Sequence, residues 1–166
     1  MESIMQYLHN YFYLFKERGR FQIEFNTITL DGGNELYGEY KAGQYILIRG
    51  SALNDGVYRV LAVSEDGIPG ITIEGCLNDE NFEGYVCSLG VPPSFVKLCN
   101  EIEIFNKNNA GANGGIVSES FGGYAYTRAQ GANGKTGWVV AFQTQLSPYR
   151  RMSDGFEWVK EVSYYV

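Results

Sequence analysis

Five short strand-like segments lie close together between residues 21 and 90, and their spacing constrains the fold more than any other feature. In the first, Phe21, Ile23 and Phe25 alternate with polar residues, which is the period of a half-buried strand. Turns that contain Gly, Asn or Asp separate it from the other four, at 44–49, 57–63, 71–74 and 85–89. Short strands at such spacing usually curl into a barrel or paired sheets, because closure removes exposed edges. We expect a small β-barrel-like lobe over residues 21–90.

The tripeptide Asn54-Asp55-Gly56 is the strongest turn signal in this region. Asn and Asp tolerate left-handed backbone conformations, and their side chains can hydrogen-bond to the nearby backbone. Gly adopts left-handed conformations without a steric cost. We expect this turn to join the segments 46–49 and 57–63.

Helical periodicity flanks the lobe on both sides. Before it, apolar residues recur at spacings of three and four, which predicts an amphipathic helix over residues 1–18 that ends near Gly19: Ile4, Met5, Leu8, Tyr11, Phe12 and Phe15. After it, Pro92 and Pro93 suit the first turn of a second helix, predicted over 92–107.

The C-terminal part is predicted to be mostly extended. Residues 106–115 are polar and glycine-rich and predict a loop. Residues 124–128 and 138–142 are strand-like, and an Asn133-Gly134 pair between them suits a hairpin. Residues 116–152 would then form a loop, the hairpin and an extended docking tail. We therefore expect an α+β fold, with two amphipathic helices and an inserted β-lobe, in a single domain over 1–166.

Charge and cysteine content narrow the classes of partner. The formal net charge of −6 argues against a protein that coats duplex DNA or an anionic membrane, because such binding uses clustered Lys and Arg. Cys76, Cys87 and Cys99 form no C-x-x-C pair and lie in apolar runs, which favours reduced buried thiols. The first residues do not read as a signal peptide, so we expect synthesis in the cytoplasm.

The stretch GGIVSESFGGYAYTR, residues 114–128, raises the question of a catalytic serine. A nucleophile elbow needs glycines two positions before and after the serine, and only Ser120 has one of them, Gly122. A serine hydrolase also needs a general base, and the sole histidine is His9. The serines are better explained as turn-forming residues. The sequence contains no metal-ligand spacing and no phosphate loop, so we expect neither an enzyme nor a cofactor.

A binding module is the alternative function that composition suggests. Several tyrosines fall on the β-lobe and would form a stacking surface for single-stranded nucleic acid or glycan: Tyr37, Tyr40, Tyr45, Tyr58 and Tyr85. Half-buried tyrosines are also common in strands, and only Lys41, Arg49 and Arg59 lie near them in the sequence. The structural explanation is the simpler of the two.

The segments VPPSFVKLCNEIEIFNKN and GGIVSESFGGYAYTR resemble the head–tail connector (adaptor or head-completion) proteins of tailed bacteriophages and prophages. In that family a helix that begins with proline leads through a loop to a similar S-E-S element and a strand. The stretches MESIMQYLHNYF, GSALNDGVYRV and LSPYRRM add to the likeness, which is concentrated in the C-terminal half. Known connectors are mainly helical bundles, whereas this chain is expected to have a β-lobe in place of the middle helices.

The resemblance implies a structural protein of the virion neck. It implies a ring of usually twelve copies that docks beneath the portal protein, contacts the next neck or tail-completion protein, and lets double-stranded DNA pass without specific binding. Extended segments and exposed arginines would make the protein contacts. The candidate docking residues are Ser118, Glu119, Ser120, Phe121, Tyr124, Tyr126, Trp138, Tyr149, Arg150 and Arg151.

Overall fold

The computed structural model describes residues 1–31, 36, 40–64, 70–109, 118–121, 124–127 and 137–163. The chain divides into two compact units. The first comprises Met1–Pro92 and Arg151–Val166, and the second comprises Pro93–Arg150.

The first unit is a closed six-stranded antiparallel β-barrel. Its strands in chain order are β1 (Tyr13–Glu24), β2 (Thr27–Leu30), β3 (Tyr45–Arg49), β4 (Gly56–Ser64), β5 (Gly70–Glu74) and β6 (Glu80–Leu89). Around the barrel they follow the order β1, β2, β5, β4, β3, β6 and back to β1. Strand β1 closes the ring because its second half pairs on both sides, so that Phe21 lies opposite both Leu30 and Phe82.

Alternate residues of all six strands fill the barrel interior. The inward-facing side chains include Phe21, Ile28, Ile46, Val60, Ile71 and Phe82, all buried in one hydrophobic cluster. The rings of Phe21 and Phe82 stack with centroids 5.3 Å apart. Burial of this apolar area supplies the main favourable free energy of folding.

One carboxylate lies inside this apolar core. Glu17 is fully buried on β1, and its Oε2 accepts a hydrogen bond of 2.6 Å from the Tyr40 hydroxyl. Tyr40 is itself 8% exposed and belongs to the interior cluster. A buried carboxylate needs such donors, because desolvation without hydrogen bonds is costly.

The remaining helices and strands are short apart from one helix. In the first unit, α1 spans Glu2–Leu8, and a ninth strand, β9 (Glu161–Ser163), pairs in parallel with Lys16–Arg18 of β1. The second unit holds α2 (Pro93–Asn109), β7 (Ser118–Phe121), β8 (Tyr124–Thr127), α3 (Trp138–Ala141) and α4 (Gln143–Leu146). No helix among the described residues is long and apolar enough to cross a membrane.

The predicted α+β fold is therefore wrong, and the N-terminal helix is the main reason. Instead of covering residues 1–18, it ends at Leu8, where His9 takes a left-handed conformation with φ 51°. The Asn10 side chain then accepts a hydrogen bond from the Phe12 amide, 3.1 Å away, and β1 begins at Tyr13. Gly19, the expected helix end, lies within β1 opposite Gly84.

Several local predictions in the β-lobe are confirmed. The five strand segments coincide with parts of β1, β3, β4, β5 and β6, and Asn54-Asp55-Gly56 joins β3 to β4. One detail is wrong: Phe25 does not share the inward face of Phe21 and Ile23. It occupies the β1–β2 turn with φ 48° and is 87% exposed.

The C-terminal hairpin is formed by different residues from those expected. Residues 124–127 are extended, but they pair with β7 and not with 138–142. Residues 138–141 are helical instead, and the Phe142 ring that follows packs edge-on against Phe105 of α2 at 5.5 Å. The five consecutive residues WVVAF are all apolar, so their hydrophobic pattern does not distinguish a helix from a strand. The strand prediction for this segment was therefore wrong. The predicted Asn133-Gly134 turn lies outside the described residues.

The cysteine prediction is confirmed in part. All three thiols are free, and Cys87 and Cys99 are buried whereas Cys76 is exposed. Burial raises the pKa of Cys87 to about 12 and that of Cys99 to about 11. Both buried thiols therefore stay protonated near neutral pH, and neither is a nucleophile there.

Gly84 is a position where the barrel leaves no room for a side chain. A Cβ built on Gly84 would lie 2.4 Å from the Arg49 carbonyl oxygen and 3.2 Å from the Phe82 ring. We expect Gly84→Ala to lower the free energy of unfolding by about 2–3 kcal/mol through overpacking between β3 and β6. Urea denaturation measures the change. The control is Asn81→Ala, an exposed position of the same strand; equal midpoints for the two variants would contradict the close approach.

Candidate functional site

Residues 151–163, here called the C-terminal strap, return from the second unit and lie along the outer face of the barrel. The strap contains a single helical turn at Phe156–Trp158 and then β9. Its backbone joins β1 through a hydrogen bond of 3.1 Å from the Lys16 amide to the Lys160 carbonyl. The strap thus occupies the edge of β1 that β2 is too short to reach.

Lys16 is the main polar anchor of the strap. Its ammonium group donates a hydrogen bond of 2.9 Å to the Phe156 carbonyl and lies 3.2 Å from Glu161 Oε2. It also lies 4.3 Å from the centroid of the Phe156 ring, within cation–π distance. The Lys16 side chain is only 6% exposed, so these three contacts compensate for a nearly complete loss of hydration.

Phe156 is the apolar anchor of the strap. Its ring meets Tyr13 and Tyr85 edge-on, at centroid distances of 5.6 and 5.0 Å. It packs against a cluster on the outer face of β3 and β6 that is centred on Leu47, Cys87 and Leu89. Aromatic contacts of this geometry add to the free energy gained from apolar burial.

Two large apolar side chains of the strap face solvent. Trp158 is 82% exposed, and Met152 is fully exposed. Trp and Met are enriched at the centres of protein interfaces. These two exposed side chains mark the strap as a candidate contact surface for another protein.

A cleft of about 530 Å³ lies beside the strap. Its walls come from α1, the start of β1, the end of β3, the β3–β4 turn and the strap itself. The lining is polar and aromatic for the most part: Glu2, Gln6, His9, Tyr11, Tyr13, Arg49, Asp55 and Asp154. Three carboxylates and one guanidinium in this set give the cleft a net negative charge with His9 neutral.

Arg49 occupies the end of the cleft next to the strap. Its Nη1 lies 3.5 Å from Asp154 Oδ2, and its guanidinium carbon lies 4.5 Å from the centroid of the Phe156 ring. A carboxylate and an aromatic face therefore hold this guanidinium from two sides. Both partners belong to the strap, so the strap completes this end of the cleft.

The acidic groups affect the tyrosines around them. Burial, together with the Glu2 carboxylate, raises the pKa of Tyr11, and Arg49 opposes the shift. Burial, Glu2 and Asp55 raise the pKa of Tyr58 in the same direction. Burial also raises the pKa of Tyr13, whose hydroxyl oxygen is buried without a hydrogen-bond partner among the described residues. Burial is the largest cause for each of the three tyrosines, and nearby carboxylates add to it.

The predicted docking residues belong to several separate elements. Ser118, Glu119, Ser120 and Phe121 form β7, and Tyr124 and Tyr126 lie in β8, so SES is a strand and not the expected turn. Trp138 begins α3, and Arg150 is exposed at the end of the second unit.

The last two candidates have structural contacts of their own. The Tyr149 ring packs edge-on against Phe95 at 5.0 Å, and its hydroxyl bonds Ser94 at 2.9 Å. Arg151 is the single candidate in the first unit; its amide donates a hydrogen bond of 2.9 Å to the Leu8 carbonyl.

The tyrosines proposed as a stacking surface are distributed over both faces of the barrel wall. Tyr40 is buried in the interior, and Tyr58 packs against the same interior cluster. Tyr45 and Tyr85 instead pack on the outer cluster under the strap. Tyr37 lies outside the described residues. The four described tyrosines therefore do not form one continuous platform.

Sequence reasoning missed the residues that build the strap and the cleft, including Glu2, Lys16, Asp55, Asp154, Phe156 and Trp158. The available sequence signal for the strap was the pair of aromatic residues in DGFEWVK, which stand between a glycine and charged residues. Large aromatic side chains in such a polar setting suggest a segment that is anchored to a surface. Within the described part of the chain, no group of three or more His, Cys, Asp or Glu side chains could hold a metal ion.

Replacement of Lys16 tests its role as the anchor of the strap. We expect Lys16→Met to accelerate amide hydrogen exchange in β9 and at Trp158 about tenfold or more, because the Phe156 carbonyl and Glu161 lose a charged donor. Lys160→Met is the matched control: Lys160 is exposed and lies 6.0 Å from the Phe15 ring. Equal exchange rates in the two variants would show that the strap is held in another way.

Glu161 offers a pH test of the same contact. A hydrogen bond of 2.9 Å from the Ser163 hydroxyl, and then Lys16, lower the pKa of Glu161. The ionised Glu161 carboxylate is the form that holds the strap, and folding lowers its pKa. Its contribution to strap docking is therefore complete above the ordinary Glu pKa of about 4.3, and it is lost as the pH falls through the folded-state pKa. Carboxyl NMR titration should show that Ser163→Ala raises the Glu161 pKa, whereas Ser153→Ala leaves it in place.

In comparisons with protein-family models, curated proteins and solved structures, nothing matches this chain. The function proposed below therefore rests on the sequence segments already described and on the geometry of the strap.

Proposed function

We propose that this chain is a structural, non-enzymatic protein of a phage or prophage particle: a head–tail connector made in the bacterial cytoplasm and incorporated into the virion neck. Copies join in a ring, usually of twelve, beneath the portal protein and receive the next neck or tail-completion protein. The likeness of residues 91–108 and 114–128 to connector proteins is the starting point.

The observation that carries the proposal is the C-terminal strap. The strap adds the short strand β9 to the edge of β1, and it leaves Trp158 and Met152, which precede that strand, exposed. Rings of identical subunits use heterologous contacts, in which one patch of a subunit meets a different patch of its neighbour. Extended segments with exposed apolar side chains suit such contacts, because they add main-chain hydrogen bonds to side-chain anchors.

The overall charge suits a channel for DNA. With a formal net charge of −6, the chain has little to attract phosphates over its surface as a whole. Double-stranded DNA would therefore slide past a ring of these subunits without specific binding.

The proposal predicts that the purified chain associates with the portal protein encoded in the same genome. Mass photometry and negative-stain microscopy of the mixture should show rings on the portal. We expect Trp158→Ala with Met152→Ala to weaken this association about tenfold or more, since buried Trp residues are frequent hot spots. Because both side chains are exposed, the double variant should keep the wild-type unfolding midpoint.

Phe25→Ala is the matched control, because Phe25 is as exposed as Trp158 but lies on the β1–β2 turn. Equal loss of association in Phe25→Ala and the strap variant would remove the strap from the contact. Absence of any portal association, combined with saturable binding of single-stranded DNA or an oligosaccharide, would replace the connector role by a binding module.

A further inference from the structure

The barrel holds the strap through charges and an aromatic ring that lie close together in the sequence. Asp154 lies 3.5 Å from Arg49, and Glu161 lies 3.2 Å from Lys16. The centroid of the Phe156 ring lies 4.5 Å from the Arg49 guanidinium carbon and 4.3 Å from the Lys16 ammonium. An acidic, an aromatic and a second acidic side chain thus meet a surface of opposite charge with aromatic walls. That surface is here called the strap groove: Tyr13, Lys16, Arg49 and Tyr85.

The backbone pairing that accompanies these contacts is short. Strand β9 pairs with β1 over three residues, with Glu161–Ser163 opposite Lys16–Arg18, and the two strands are parallel. Parallel pairing is slightly less stable per residue than antiparallel pairing. Peripheral elements of this kind open at a lower free energy than the core strands of the same domain. The strap is therefore suited to leave its groove while the six-stranded barrel stays closed.

The strap is also connected to its groove by a long stretch of chain. Strand β6 ends at Leu89, and the strap begins only after the second unit, Pro93–Arg150. Residues 150–153 are exposed, and Arg150 is extended with φ −73° and ψ 137°, as a hinge segment requires. A flexible connection gives docking within one chain the advantage of a local concentration of about millimolar at most. Neighbouring copies in a ring reach a local concentration of the same order.

We propose that straps exchange between copies, so that the strap of one copy docks in the strap groove of another. A second copy is the favoured occupant because it carries the same acidic and aromatic side chains and reproduces every contact of the groove. Docking within a chain and between chains then differs in the entropy of the connection and not in the contacts. Passed in one direction around a ring, exchanged straps leave every groove filled. The inference specifies how copies join and in this sense rests on the proposed function.

A disulfide between two chains detects the exchange. Ser163 lies opposite Arg18 in the β9–β1 pair, and both residues are exposed. One full-length chain carries Arg18→Cys and the other carries Ser163→Cys, each with Cys76→Ser because Cys76 is exposed. The two chains are mixed at about 1 mM, oxidised mildly and separated by non-reducing electrophoresis. The matched control replaces Ser163→Cys by Ser153→Cys, an exposed strap position that precedes β9.

We expect the Ser163→Cys mixture to give about tenfold more covalent dimer than the Ser153→Cys mixture, because a disulfide needs Cα atoms within about 7 Å of each other.

A peptide supplied in trans tests the groove without any substitution in it. The acceptor is the full-length chain with Phe156→Ala, whose own strap has lost its apolar anchor. The probe is the peptide RMSDGFEWVKEVS, residues 151–163, and amide NMR spectra of the labelled chain follow Lys16–Arg18. We expect saturable binding. A peptide with Phe156→Ala, or one with both Asp154→Asn and Glu161→Gln, should bind about tenfold more weakly.

Three results would each overturn the exchange: no disulfide between chains, equal dimer yields from Ser163→Cys and Ser153→Cys, or equal binding of the wild-type and Phe156→Ala peptides. Peptide binding without a disulfide between chains would assign the groove to the strap of the same chain alone. Both experiments use the chain by itself. Exchange without portal association would therefore keep this inference and remove the connector role, and portal association without exchange would do the reverse.

Discussion

The double pairing of β1 is the constraint on which the rest of the first unit depends. β1 has twelve residues and pairs with β6 over almost its whole length, whereas β2 has four residues and covers only the end of the opposite edge. The overlap at Phe21–Glu24 closes the barrel, and the part of the edge at Lys16–Arg18, which β2 does not reach, pairs with β9 of the strap. An open edge presents unpaired backbone groups, which another strand can satisfy. The strap has a place to bind because β2 is shorter than β1.

The period of two along β1 explains how two adjacent charged residues serve opposite surfaces. Glu17 faces the barrel interior and receives the Tyr40 hydroxyl, whereas Lys16 faces outward and holds the strap. A register shift of one residue would place the carboxylate under the strap and the ammonium in the apolar core. The two buried charges, each with its own hydrogen bonds, therefore help to specify a single register for β1 against β6.

Local signals predicted the parts of the fold that depend on neighbours in sequence. The strand segments after residue 44, the Asn54-Asp55-Gly56 turn and the helix that starts at Pro93 follow from short-range patterns. Local signals did not predict the start of β1, because Tyr11, Phe12 and Phe15 fit the apolar stripe of a helix as well as a strand. Pairing with β6, over seventy residues away in the sequence, decides between the two. The candidate site depends on similar long-range contacts: Lys16 and Phe156 are 140 residues apart.

The strap and the cleft are physically linked through Arg49. Asp154 and Phe156 come from the strap, yet they hold the guanidinium that forms one end of the cleft. If the strap leaves the barrel, Arg49 loses both the carboxylate and the aromatic ring that hold its guanidinium. Lys16 loses the Phe156 carbonyl and Glu161 in the same event. Two cations of the barrel wall therefore lose their partners together, so docking of the strap is a cooperative step and not a sum of independent contacts.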